Sequence, residues 1–167
     1  KMKLIGYAYK FGDNINTDLI ISGRYKFSIT DIKELSQHLF EDIEMDFSKK
    51  LKFNESIIVA GENFGMGSSR EQAPLVLKEA GIIAVVAKSF ARIFFRNSFN
   101  IGLPLIETDT SKINAGDELQ IDLEKGILLN LSHKKSHSIK PLPSVMRSIL
   151  NDGGSVSHFK KYGRFKI

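Results

Sequence analysis

Two short apolar runs, SIIVA at 56–60 and IIAVVA at 82–87, constrain the fold of this 167-residue chain more than any other feature. β-branched residues crowd both sides of the second run, and neither run alternates with polar residues. Both therefore read as strands buried on two faces. Between them lie a glycine-rich loop and the helix-length stretch APLVLKEAG (73–81), with Gly81 as its stop. SFARIFFRNSFNIG (89–102) follows as an amphipathic helix ending near Gly102, and LPLIE as a further strand. The order β-loop-α-β-α-β predicts a parallel sheet covered by helices.

The flanks differ in character. KLIGYAYKF (3–11) alternates as a first strand, and GDNINTDLIISGRY (12–25), rich in Asn, Asp and Gly, reads as a long loop. Asp31 and Glu34 have capping-box spacing ahead of Ile32, Leu35, Leu39 and Phe40, which share one helical face. Residues 117–142 carry short alternating runs with a tight turn at Lys125-Gly126, as antiparallel hairpins do. PSVMRSILNDGG (143–154) predicts a helix with Pro143 in its first turn and glycines at its end. Without repeat or linker, residues 1–167 form one expected α/β domain with mixed β topology.

Composition narrows the chemistry. The chain has no cysteine, which excludes disulfides and cysteine-ligated metal centres within it and fits a reducing, cytoplasmic setting. Neither a signal peptide nor a membrane-length apolar segment is evident, so no membrane association is expected. Of the net charge of +5, the C-terminal residues 131–167 hold eight Lys/Arg against Asp152 alone. Without interleaved aromatic residues this reads as solvated surface, and nucleic acid is not an expected partner. His38, His133, His137 and His158 show no ligand spacing, so no metal site is expected.

The loop GENFGMGSSREQAP (61–74) concentrates the candidate chemistry. Glycines permit positive φ and close approach to the backbone. Ser68 and Glu71 have S-x-x-E capping spacing, which puts the serines near a helix N-terminus, although Pro74 also suits the first turn of a helix starting later. Three readings stand side by side: a capped strand-to-helix turn, a phosphate loop lacking its G-K-[ST], and a carboxylate site in which Arg70 forks an anion and a serine hydroxyl moves a proton.

This loop, followed by AVVAKSFARIFFRNSFNIGLPLIE, resembles the small subunits of 3-isopropylmalate dehydratase, which correspond to the swivelling fourth domain of aconitases. YKFGDNINTDLIISGRY and GGSVSHFKKYG resemble the same family's opening and ending. The resemblance implies a swivelling β/β/α domain, a mixed sheet with flanking helices. It also implies a hydro-lyase of leucine biosynthesis that isomerises 2-isopropylmalate to 3-isopropylmalate. Residue by residue it makes Ser68 the base, the Ser69 backbone an anion stabiliser and Arg70 the carboxylate ligand. Asp18 in NTD becomes an active-site aspartate, Glu71 a tie at the helix start, and Met66 and Gln72 packing positions. The family's 4Fe–4S cluster is held by cysteines, so it is expected on a separate large subunit, without which this chain is inactive.

Substrate choice in the family involves a loop beginning at the equivalent of Tyr25. Here SGRYKFSITD (22–31) departs from the commoner Y-L-R pattern. Arg24, Tyr25, Lys26 and Phe27 are thereby implied in substrate binding: Phe27 against an aliphatic substituent, Arg24 and Lys26 toward a carboxylate of a di- or tricarboxylate. Homoaconitase and dimethylmalate or methylmalate dehydratase small subunits remain the alternatives on these residues, with a basic nucleic-acid-binding module more remote.

Overall fold

The computed structural model describes residues 3–25 and 28–163. Strands β1 (Lys3–Lys10), β2 (Ser56–Val59), β3 (Ile82–Ala87) and β4 (Leu105–Glu107) pair in parallel. On the other side of β1, strands β5 (Glu118–Asp122), β6 (Ile127–Asn130) and β7 (Lys135–Ser138) add antiparallel, giving the order β4-β3-β2-β1-β5-β6-β7. The helix between β2 and β3 spans Gln72–Glu79, and that between β3 and β4 spans Arg92–Asn100; in chain order these are α3 and α4. The expected mixed sheet with covering helices is what the chain forms.

Alternation along the central strands builds two cores. Ile57, Val59, Ala84 and Val86 face one side with Ile106, Leu119, Ile121 and Leu128. Ile58, Val85 and Ala87 face the other with Val76 and Leu77 of α3 and Phe94 of α4. Period-two geometry would send Ile82 to the first side, yet it packs with the second. The register of β2 on β3 shifts between Ser56 and Ile57, pairing Ser56 with Ile82 and Ile57 with Ala84, and the extra residue reverses the facing. Both faces of β2 are thus dry, as its unbroken apolar run requires.

Several local expectations change. The loop 12–25 contains a short helix, α1 (Thr17–Ile20), capped by Asn16, whose side chain accepts from the Leu19 N–H, and a 3-10 turn at Gly23–Tyr25. The helix after Asp31 is only α2 (Ile32–Leu35) with a 3-10 turn at Ser36–His38. Asp31 caps the Lys33 N–H, not that of Glu34 as a capping box would. Ser36 bonds back to the Lys33 carbonyl, and Phe40 takes a positive φ of 53° while donating its N–H to Ile20 O at 2.9 Å. Burial of Leu39 and Phe40 at 0% exposure is achieved by that turn, not by helical periodicity. Pro143 is the N-cap of α5 (Ser144–Asn151), one position before the first turn.

A final helix, α6 (Ser155–Tyr162), follows Gly153 and Gly154. Those glycines press on the end of α4: a Cβ on Gly154 would lie 2.5 Å from the Asn100 carbonyl oxygen. Buried His158 closes the corner on Asp152 at 2.7 Å. Among the described residues no helix is long and apolar enough to cross a membrane.

Ile58→Ala, at the packed centre of β2, is expected to cost about 2–5 kcal/mol in denaturant titration, whereas Ile5→Ala on the exposed face of β1 should stay within about 0.5 kcal/mol. Equal losses would contradict the two-core arrangement.

Candidate functional site

The site forms beyond the carboxyl ends of β1, β2 and β3, where open α/β sheets gather loops. The glycine loop after β2 is laced to the segment after β1. Gly65 N–H donates to Ile15 O at 2.7 Å, Thr17 N–H to Met66 O at 2.9 Å, and the Thr17 hydroxyl to Ser68 O at 2.9 Å. On its other side Phe64 N–H donates to Ser89 O at 3.1 Å and Ala91 N–H to Phe64 O at 3.0 Å. Gly65 and Gly67 adopt φ of 84° and 93°, conformations that favour glycine. At Gly65 the space matters too, since an added Cβ would meet Phe94 Cγ at 2.2 Å.

This lacing gathers Thr17, Ser68, Ser69 and Arg70 around one cavity of about 220 Å³, closed opposite by Ala91, Arg92, Ile93, Phe94 and Asn97. Ser68 and Ser69 are exposed to it, and no acidic or imidazole side chain is in its lining among the described residues. Asp18, in the first turn of α1, accepts from Arg70 Nη1 at 2.5 Å. That pair holds a guanidinium whose side chain is only 10% exposed. Arg70 Nε and Nη2 are buried and have no hydrogen-bond partner. Burying ionic donors unpaired is costly, and these two N–H groups are unsatisfied within this chain. Two parallel N–H groups match the two oxygens of a carboxylate.

The serines do not cap the helix. Glu71 is the N-cap of α3, with helical φ and ψ of −62° and −24°, and its side chain makes no capping bond. Glu71 therefore does not tie the helix start through its side chain. Pro74 explains both departures. A helix begun at Ser68 would place this residue in its interior, where the ring clashes with the preceding turn. Begun at Gln72, the helix keeps Pro74 in its first turn, where its missing N–H costs nothing. Met66, read as packing, is instead 38% exposed beside the cavity.

Arg24 and Tyr25 are not in the cavity lining. The Tyr25 hydroxyl donates to Glu41 Oε1 at 2.5 Å and Arg24 Nη2 to the same oxygen at 2.8 Å. Arg24 Nη1 also pairs with Asp42 at 2.9 Å. His38 Nδ1 lies 2.6 Å from Glu41 Oε2, and its ring stacks on Tyr25 with centroids 4.1 Å apart. Lys26 and Phe27 lie outside the described residues. His133 and His158 pair with Asp117 and Asp152. Thr17, Arg92, Ile93 and Asn97 were not singled out for this cavity from sequence. Thr17 stands beside Asp18 in NTD, and Ile93 and Asn97 stand four apart on α4 with Arg92 at its start, which is the signal that could have found them.

The bonds from Tyr25, His38 and Arg24 hold the Glu41 carboxyl at about 2, below its ordinary 4.5. A depressed carboxylate contributes stability above its unfolded value and loses it as pH falls through the folded one. Between pH 4.5 and 2, Glu41→Gln should therefore lose less stability than the natural chain in acid titration; parallel curves would contradict the bonding. Gly65→Ala should cost about 1–3 kcal/mol or more in denaturant titration, from positive φ and collision with Phe94 together.

Residues 11–110 match the family model of the aconitase C-terminal domain. The 3-isopropylmalate dehydratase small subunit 2 of Archaeoglobus fulgidus is 53% identical over 99% of this chain and 100% of its own length. Small subunit 1 of the same enzyme from Thermotoga maritima is 50% identical, with 96% of each chain covered. A crystal structure of 3-isopropylmalate dehydratase from Methanocaldococcus jannaschii superposes with a TM-score of 0.91 at 46% identity, covering 97% of this chain and 96% of that one. The chain belongs to the aconitase C-terminal domain family, among the small subunits of 3-isopropylmalate dehydratase.

Proposed function

We propose that this chain supplies the proton-transfer and carboxylate-binding half of a hydro-lyase that isomerises 2-isopropylmalate to 3-isopropylmalate, and that a large subunit supplies the other half. The carrying observation is that Arg70, whose Nε and Nη2 edge has no partner, lines one cavity with the exposed Ser68. Arg70 takes a substrate carboxylate on that edge, and Asp18 fixes the guanidinium from its far side. The carboxylate is then held against the serine that must reach the adjacent carbon.

The reaction removes a proton from the carbon next to a carboxylate and hydroxide from its neighbour, leaving an alkene diacid; water then adds in the opposite sense. Ser68 is the base for the first step. A hydroxyl is a poor base unless its anion is favoured, and the Arg70 cation lining the same cavity favours it. The proton stays on the Ser68 oxygen and is available for return to carbon on rehydration.

The family's cluster does not fit on this chain. It contains no cysteine, and among the described residues no group of three His, Asp or Glu could hold a metal ion. The cluster's donors fall to the large subunit, and assistance to the departing hydroxyl comes from there.

In a complex of this chain with its large subunit, Ser68→Ala should lower kcat by about 10²–10⁴-fold with folding intact, followed through absorbance of the alkene diacid. Arg70→Gln should act chiefly on KM. Full turnover by Ser68→Ala would remove the serine from the proton step, and preference for homocitrate or methylmalate over 2-isopropylmalate would replace the substrate.

A further inference from the structure

We propose that Glu41 is a positioning residue: by clasping Tyr25, Arg24 and His38 it holds the 22–25 turn against the Asp18–Arg70 pair and so governs how firmly the substrate carboxylate is gripped. The inference rests on the functional reading of Arg70 given above and deepens it. The turn is a neighbour of the site, because a Cβ on Gly23 would lie 3.4 Å from Asp18 Oδ1 and 3.6 Å from Arg70 Nη1. Its backbone thus lies beside the oxygen and nitrogen that orient the guanidinium.

Beside the packing of part-buried Tyr25 against the core, few bonds hold the turn among the described residues. None of residues 23–25 is buried, and the Arg24 side chain is 52% exposed. Among the described residues its backbone–backbone bonds are Tyr25 N–H to Ser22 O at 3.2 Å and Ile29 N–H to Tyr25 O at 3.1 Å, both local. Beside the Arg24–Asp42 pair, Glu41 provides most of the long-range hydrogen bonding. Its carboxylate is 17% exposed and engaged on both oxygens, Tyr25 and Arg24 on Oε1 and His38 on Oε2. Charge-assisted bonds of this kind are stronger than neutral ones, and losing their shared acceptor leaves the Tyr25 hydroxyl and His38 without that partner. Arg24 keeps Asp42, so the turn loosens without the domain unfolding.

The claim implies a KM effect with kcat nearly spared, since Glu41 reaches neither Ser68 nor the cavity. In the complex with the large subunit, Glu41→Ala should raise the KM for 2-isopropylmalate about tenfold while kcat stays within about threefold. Glu41→Gln retains an acceptor for Tyr25 and should recover most of that loss. On the isolated chain, amide hydrogen exchange at Tyr25 and Ile29 should quicken at least about tenfold in Glu41→Ala, while β2 and β3 amides keep their protection. An unchanged KM with faster exchange, a proportional fall in kcat, or unchanged exchange at Tyr25 would each overturn the proposal. Should the natural complex fail to turn over 2-isopropylmalate, the functional reading falls. The exchange measurement then still decides whether Glu41 holds the turn.

Discussion

A ladder of backbone hydrogen bonds between the 14–18 segment and the glycine loop underlies everything the site can do. Asn14 N–H reaches Glu62 O at 2.7 Å, Gly65 N–H reaches Ile15 O and Thr17 N–H reaches Met66 O, so two loops from adjacent strands become one rigid layer. Such an approach of backbones leaves no room for side chains between them, and the positive φ at Gly65 and Gly67 supplies the needed curvature. Everything on the layer inherits its precision: Thr17 and Asp18 on one edge, Ser68 and Arg70 on the other. The guanidinium, only 10% exposed, is then held by the single carboxylate of Asp18.

The Asp18–Arg70 pair is informative for what it leaves undone. A structural ion pair inside a protein satisfies as many donors as possible, since each orphan carries a desolvation cost. Here only Nη1 is engaged, and Nε and Nη2 are left without a partner in a residue that shares its cavity with exposed Ser68. Such frustration concentrates where a ligand completes the network. The contrast with Arg24 is instructive. That cation is already paired with Glu41 and Asp42.

The legible part of the fold was the part governed by short-range pattern. The unbroken apolar run of β2, the β-branched run of β3, the stops at Gly81 and Gly102 and the turn at Lys125-Gly126 each carry their own local cause, and each matches its element. Less legible were segments shaped by distant partners. Leu39 and Phe40 have helical spacing but leave the helix because Phe40 bonds to Ile20, a contact no local pattern announces. The capping spacing of Ser68 and Glu71 was overruled by Pro74, a conflict visible in the sequence but not resolvable there. For the site, residue types and order marked the Ser68–Arg70 stretch as a candidate and the family resemblance added Asp18, while the α4 wall with Arg92, Ile93 and Asn97 needed the packing of Phe94 beneath Gly65 to bring it near.

The central claim is that the free edge of Arg70 exists to receive a substrate carboxylate beside Ser68. A crystal structure of this chain with its large subunit, soaked with an unreactive analogue of 2-isopropylmalate, tests it most directly. The predicted density has one carboxylate bound side-on to Nε and Nη2 at about 2.7–2.9 Å, with the Ser68 oxygen facing the adjacent carbon. A partner-subunit side chain filling that edge, with the diacid bound elsewhere, would contradict it.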